Sequence, residues 1–110
     1  MERSNNNSAK ETKQSPNIII FITHDTGKYF SCYNGNIATP NIDSIAEKGI
    51  KFTNHFACAP QCSPSRGGIL TGKPPHVNGL MGLTHHGWKL AEDNLTMPEY
   101  FVGKGYNTYL

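Results

Sequence analysis

Long apolar stretches are missing from this sequence of 110 residues; the longest uninterrupted run is the five residues Ile18 to Ile22. A helix needs about 20 apolar residues to cross a bilayer, so a membrane-spanning helix is excluded. Charge of one sign is missing too. Ten Lys and Arg oppose eight Asp and Glu without forming blocks, for a net +2. No nucleic acid and no anionic membrane is therefore expected as a partner. Cysteine is sparse, with only Cys32, Cys58 and Cys62. An odd count at loose spacing is not the disulfide framework of a small secreted domain. The first 15 residues carry no apolar segment of the kind a secretory signal has, which makes a cytoplasmic location the default expectation.

What the chain does have is glycine and proline, 11 and 7, concentrated in its middle. Residues 1–15 are polar, include Asn5-Asn6-Asn7, and read as a disordered leader. Ile18 to Ile22 then reads as a strand buried on both faces, as in a parallel sheet. The polar Thr23-His24-Asp25-Thr26-Gly27 follows at its carboxyl end, the edge where open α/β sheets bind ligands. Thr39-Pro40 is expected to open a helix with Thr39 as N-cap, Ile42, Ile45 and Ala46 on one face, and Gly49 as the stop. Ile50 to Phe56 alternates like a second strand. Pro74 to Trp88 reads as a long loop. Thr96 and Glu99 fit a capping box for a helix ending at Gly103 or Gly105, and Tyr106 to Leu110 opens another strand. This order is α/β: a mostly parallel central sheet with helices on both faces. Residues 16–110 are read as the front part of a larger domain that breaks off inside a strand.

The segment Cys62-Ser63-Pro64-Ser65-Arg66-Gly67-Gly68-Ile69-Leu70-Thr71-Gly72 carries the chemistry. Ser63 can cap a helix that begins at Pro64, which puts Cys62 just outside its positive end. Arg66, one turn in, can aim its fork at the same point and bind a tetrahedral oxyanion such as sulfate or phosphate. A nucleophile, a helix N-terminus and an arginine together point to group transfer at such an anion. A buried structural cysteine before an ordinary Ser-Pro helix start is the plainer reading of the first residues alone.

The match extends further than that plainer reading needs. The stretch resembles the sulfatase signature Cys-x-Pro-Ser-Arg-x-x-x-Leu-Thr-Gly at every fixed position. Seven fixed positions recur by chance about once in a billion sites at uniform composition. Pro16-Asn17 with the strand after it, Thr39 to Ala46, Gly49 to Asn54 and Thr71 to Gly79 also look like sulfatase segments. Asn78-Gly79-Leu80-Met81-Gly82-Leu83 is closest in character to the sulfamidase (heparan N-sulfatase) branch and its bacterial relatives. The resemblance implies the alkaline-phosphatase-like α/β sandwich. It also implies that the cysteine at the Cys62 position is oxidised to formylglycine (3-oxoalanine) by a maturation enzyme that reads Cys-x-Pro-x-Arg. In the family one hydroxyl of the hydrated aldehyde attacks sulfur, and loss of the second hydroxyl's proton expels sulfate, which a plain serine cannot do.

The resemblance further implies one divalent metal, usually calcium, held by two adjacent aspartates after the first strand and by the formylglycine at position 62. Here the pair is His24-Asp25. Asp25 carries over. His24 departs from the pattern, because imidazole favours zinc, manganese or iron over calcium. Either it binds a softer metal, or it stands beside the metal, or it merely caps the strand end. His76, His85 and His86 lie in the following loop as candidates for substrate contact or acid-base work. A zinc site from His55, Cys58 and Cys62 lacks a partner pair; Cys32 and Cys58 are expected as small buried fillers. Trp88 is expected either to line the substrate entrance or to pack.

The expected activity is hydrolysis of a sulfate ester or sulfamate on a small molecule or glycan. A formylglycine-dependent phosphonate or phosphodiester hydrolase of the same superfamily is the alternative, and a truncated product without function is the third reading. Later family segments that supply Lys, His and further metal ligands fall beyond Leu110, so the 110-residue chain alone is expected to be inactive and poorly stable.

Overall fold

The computed structural model describes residues 15–110; the disordered leader expected over 1–15 thus lies outside the described residues, except for its last position. Helix α1 spans Pro40–Lys48, α2 Cys62–Thr71, α3 Pro75–Asn78 and α4 Met97–Val102, with 3-10 turns at Ser31–Tyr33 and Thr84–His86.

The helix boundaries follow from local chemistry. Pro40 is the first residue of α1, where its missing N–H costs nothing. Gly49 closes that helix, its amide donating to the Ile45 carbonyl at 2.9 Å. Thr39 precedes α1 as expected but does not cap it with its side chain. Its hydroxyl instead donates to Asp43 Oδ1 at 3.2 Å, and Ser31 Oγ donates to Asp43 Oδ2 at 2.5 Å. The Cys32 amide completes the set at 2.8 Å, so one carboxylate ties the Ser31–Tyr33 turn to α1. The Ser31 hydroxyl, foremost, holds the Asp43 carboxyl below its ordinary pKa. At α4 the capping box forms: the Thr96 amide and hydroxyl donate to Glu99 Oε2 at 2.8 and 2.7 Å. The Thr96 amide, foremost, lowers the Glu99 pKa as well.

The expected parallel sheet is not formed among the described residues. Ile18 to Ile22, Ile50 to Phe56 and Tyr106 to Leu110 are without ladder pairing, and one isolated parallel bridge joins Phe30 to Ile37. A strand exists only through its neighbours' hydrogen bonds, and Phe21 stands 90% exposed. The first and last of these segments nevertheless share a location. Both line a cavity of about 440 Å³ floored by Ile69 and Leu70 of α2 and by Met97 and Phe101 of α4.

A second difference lies in the expected Pro74–Trp88 loop. Pro75 starts a short helix and Gly79, at φ 87°, ends it; Pro fixes the first turn and Gly takes the left-handed stop. Burial is concentrated on α2 and what covers it. Pro64, Gly67, Asn78 and Leu80 are buried, whereas Ile45 on α1 is left 73% exposed.

Candidate functional site

Helix α2 begins at Cys62 itself, two residues earlier than the Ser63 cap implies. Gln61 is the N-cap, and its carbonyl accepts the Ser65 amide at 3.1 Å. Ser63 does not cap the helix. Its hydroxyl lies 3.9 Å from Cys62 Sγ and accepts the Thr84 amide at 3.4 Å. Cys62 is exposed, and as the first helical residue it sits where unpaired backbone N–H groups gather. Arg66 is four residues on, half-buried, and on the same ridge of the helix. These two predicted residues are therefore brought to one face.

The neighbouring ridge, Ser63, Gly67 and Thr71, is the packing face. A Cβ at Gly67 would lie 3.0 Å from Leu80 Cδ2 and 3.4 Å from Leu90 Cδ2. On the opposite flank Cys58 Sγ meets the backbone at Gly68 and lies within 3.9 Å of the Pro64 and Ser65 carbonyls. The expectation that Cys58 is a buried filler is corrected here: the residue is exposed, and only its sulfur rests on the helix. Cys32 is half-buried. Trp88 is half-exposed and its indole lies on Gly82, which answers to packing.

His24 and Asp25 occupy a tight turn, with Asp25 at φ 50° and the Thr26 hydroxyl donating to the His24 carbonyl at 3.1 Å. His24 Nδ1 and Asp25 Oδ2 are 3.2 Å apart, and both side chains are largely exposed. Among the described residues no three His, Cys, Asp or Glu side chains gather as a metal-holding group. His24, Asp25 and Cys62 are thus not assembled into the expected site. The segment that carries the first two has no ladder to anchor it over α2. Their oxygen and nitrogen donors suit a divalent cation, but two exposed donors do not by themselves hold one.

His85 and His86 fall on the 3-10 turn Thr84–His86, their rings in edge-to-face contact at 4.2 Å. Because Thr84 touches Ser63, that turn lies by the Cys62 end of α2. His76 is exposed on α3, nearer the other end. Asn78 is missed by the sequence reading although it is fully buried. An Asn before a Gly at a helix end reads as an exposed turn residue, so nothing local signals its burial.

A sequence profile of the sulfatase family matches residues 16–110. The chain belongs to the sulfatase family. It is 43% identical over 104 residues to an N-acetylglucosamine-6-O-sulfatase of Bacteroides thetaiotaomicron, covering 93% of this chain and 18% of that protein. Against human steryl-sulfatase it is 36% identical over 105 residues, 86% of this chain and 18% of the relative. Human N-sulphoglucosamine sulphohydrolase matches at 40% over 74 residues, 64% and 15% of the two chains. The chain therefore spans less than a fifth of the length of these curated relatives. No solved structure matches it. The family implies an alkaline-phosphatase-like α/β fold.

Proposed function

We propose that this chain is the nucleophile-bearing, N-terminal part of a sulfuric ester hydrolase, with Cys62 as the residue converted to formylglycine. One observation carries the reading: Cys62 is exposed at the first position of α2, with Arg66 one turn along the same ridge, inside the stretch that matches the sulfatase profile. An exposed side chain with Ser63 as its polar neighbour fits access by a maturation enzyme. Oxidised, the side chain supplies a hydrated aldehyde as nucleophile.

The chain's own residues supply the rest of the local chemistry. The first backbone N–H groups of α2 favour negative charge beside Cys62. Arg66 offers a bidentate fork to two oxygens of a bound sulfate group, which orients the group so that the scissile S–O or S–N bond points away from the nucleophile. Asp25 and His24 are proposed as two ligands of a divalent cation, calcium or a softer ion, completed by residues from elsewhere in the whole protein. The substrate class is a sulfated sugar or a sulfamate, as the names of two relatives, N-acetylglucosamine-6-O-sulfatase and N-sulphoglucosamine sulphohydrolase, support.

Mass analysis of the peptide from Phe52 to Arg66, taken from full-length protein made in its native host, tests the reading. Conversion lightens the peptide by roughly the mass of a water relative to cysteine. Unconverted Cys62 overturns the proposed role. Matched aryl sulfate and aryl phosphodiester substrates then test the class, and faster hydrolysis of the phosphodiester overturns the sulfate assignment.

A further inference from the structure

Asn78 makes more hydrogen bonds than a turn residue needs, and they converge on one loop. Its Oδ1 accepts the Leu80 amide at 2.8 Å, and its carbonyl accepts the Ala91 amide at 2.9 Å and Asn94 Nδ2 at 3.0 Å. A single residue thus holds both ends of the segment 80–91. On its other side Asn78 Nδ2 donates to the Lys73 carbonyl at 2.9 Å and to Thr71 Oγ1 at 3.3 Å, which fixes it to the end of α2. Lys73 Nζ donates to Asn94 Oδ1 at 3.0 Å and closes the ring of contacts.

The loop between these ends is filled by its own side chains, as compact surface loops are. Trp88 lies on Gly82, and Leu80 and Leu90 both rest on the bare backbone of Gly67. Its tip, the Thr84–His86 turn, reaches the start of α2 through the Thr84 amide and Ser63 Oγ. Ser63, Gly67 and Thr71 are spaced by four, so the loop and its clamp run the length of one helix ridge beside the ridge of Cys62 and Arg66.

We infer that Asn78 is a positioning residue whose clamp holds the 80–91 loop against α2, so that His85 and His86 contact the sugar that leaves when the sulfate group is transferred. The two exposed imidazoles offer hydrogen bonds and a flat face to hydroxyl-rich rings. The inference rests on the proposed sulfatase function and adds which part of the substrate this segment meets. Loosening the clamp lets the histidine pair drift while Cys62 and Arg66 stay on their own helix. The loss then falls on substrate affinity more than on turnover.

The test uses the full-length protein with three variants, Asn78→Ala, Ser63→Ala and His85→Ala/His86→Ala, and N-acetylglucosamine 6-sulfate as substrate. Rates are expressed per aldehyde-bearing molecule. The Asn78 and double-histidine variants are expected to raise KM by about tenfold with kcat falling less than about threefold, the pattern of a lost binding contact. Ser63→Ala, which removes the tip contact together with the hydroxyl beside position 62, should raise KM by about threefold. Hydrogen exchange of the peptide covering 80–91 should quicken in the Asn78 and Ser63 variants and not in the histidine one. A fall in kcat at constant KM overturns the inference, because that is the mark of a lost fraction of folded enzyme. Unchanged exchange of the 80–91 peptide in Asn78→Ala overturns the clamp. If Asn78→Ala does not fold, Ser63→Ala and the histidine variant decide by the same criteria. A wild-type protein inert toward sulfate esters overturns the function reading instead, and the exchange data then decide the clamp alone.

Discussion

Cys58 Sγ rests against the backbone of Gly68, so that a side chain at 68 has no room while the sulfur is there. The contact fixes the approach of the segment before α2 to the middle of that helix.

Replacing Gly68 by alanine sets two effects against each other. Helix propensity gains up to about 1 kcal/mol, whereas forcing a methyl group into an occupied site costs about 1–3 kcal/mol. Gly68→Ala is expected to be a net loss, and Cys58→Ala/Gly68→Ala to recover most of it. Urea unfolding of the full-length protein and a double-mutant cycle measure both.

Asp43 and Glu99 give a pH dependence of definite sign. Both carboxyls titrate below their ordinary values in the folded chain, through the Ser31 hydroxyl and the Thr96 amide first of all. A lowered folded pKa gives stability that is fully present above the unfolded pKa and disappears as pH falls through the folded one. The melting temperature should therefore drop below the ordinary carboxylate range, and the drop should be shallower in Asp43→Asn and Glu99→Gln. Equal slopes in all three proteins would contradict the hydrogen-bond origin of the shifts.

Arg66 is expected to be irreplaceable by lysine. A point charge on a flexible stem does not reproduce a two-pronged grip on sulfate oxygens. Arg66→Lys should lower kcat/KM by about a hundredfold, the scale on which a positioned donor to a developing charge acts. The measurement compares rates normalised to the formylglycine content of each protein, because position 66 also belongs to the pattern expected to direct the proposed modification.

His24, as a proposed ligand, is expected to set the choice of metal. The full-length protein should bind one divalent cation, lose it in Asp25→Ala, and in His24→Asp shift its preference toward calcium, since an oxygen donor replaces a nitrogen one. Elemental analysis after dialysis against mixed cations measures the shift. An unchanged metal content in Asp25→Ala would remove both residues from the ligand set.

Local signals in the sequence were enough for the parts of the structure that local chemistry decides. Thr39-Pro40 and Gly49 bound α1, the Thr96–Glu99 box opens α4, and the spacing of Cys62 and Arg66 puts both on one ridge. Non-local facts were not legible. Ser63 looks like a cap because a serine before a proline usually is one; the Thr84 amide, 21 residues away, engages its hydroxyl instead. Asn78 looks like a turn residue, and only the packing of Leu80, Leu90 and Asn94 around it makes it a hub. Apolar runs such as Ile18 to Ile22 specify a strand only jointly with the neighbours that pair with it, and no such ladder forms among the described residues.

The exposed Ile18 to Ile22 segment has a calorimetric consequence. The heat-capacity increase on unfolding comes from apolar surface newly met by water. Ile19 and Phe21 are already 87% and 90% exposed in the folded chain, so melting the 110-residue chain wets little that was dry. Its unfolding should carry a small heat-capacity step and a broad, shallow endotherm, with enthalpy that hardly changes with temperature. Were a neighbouring strand to cover that segment, the same residues would join the cooperative unit, and the step should grow in proportion to the area they lose.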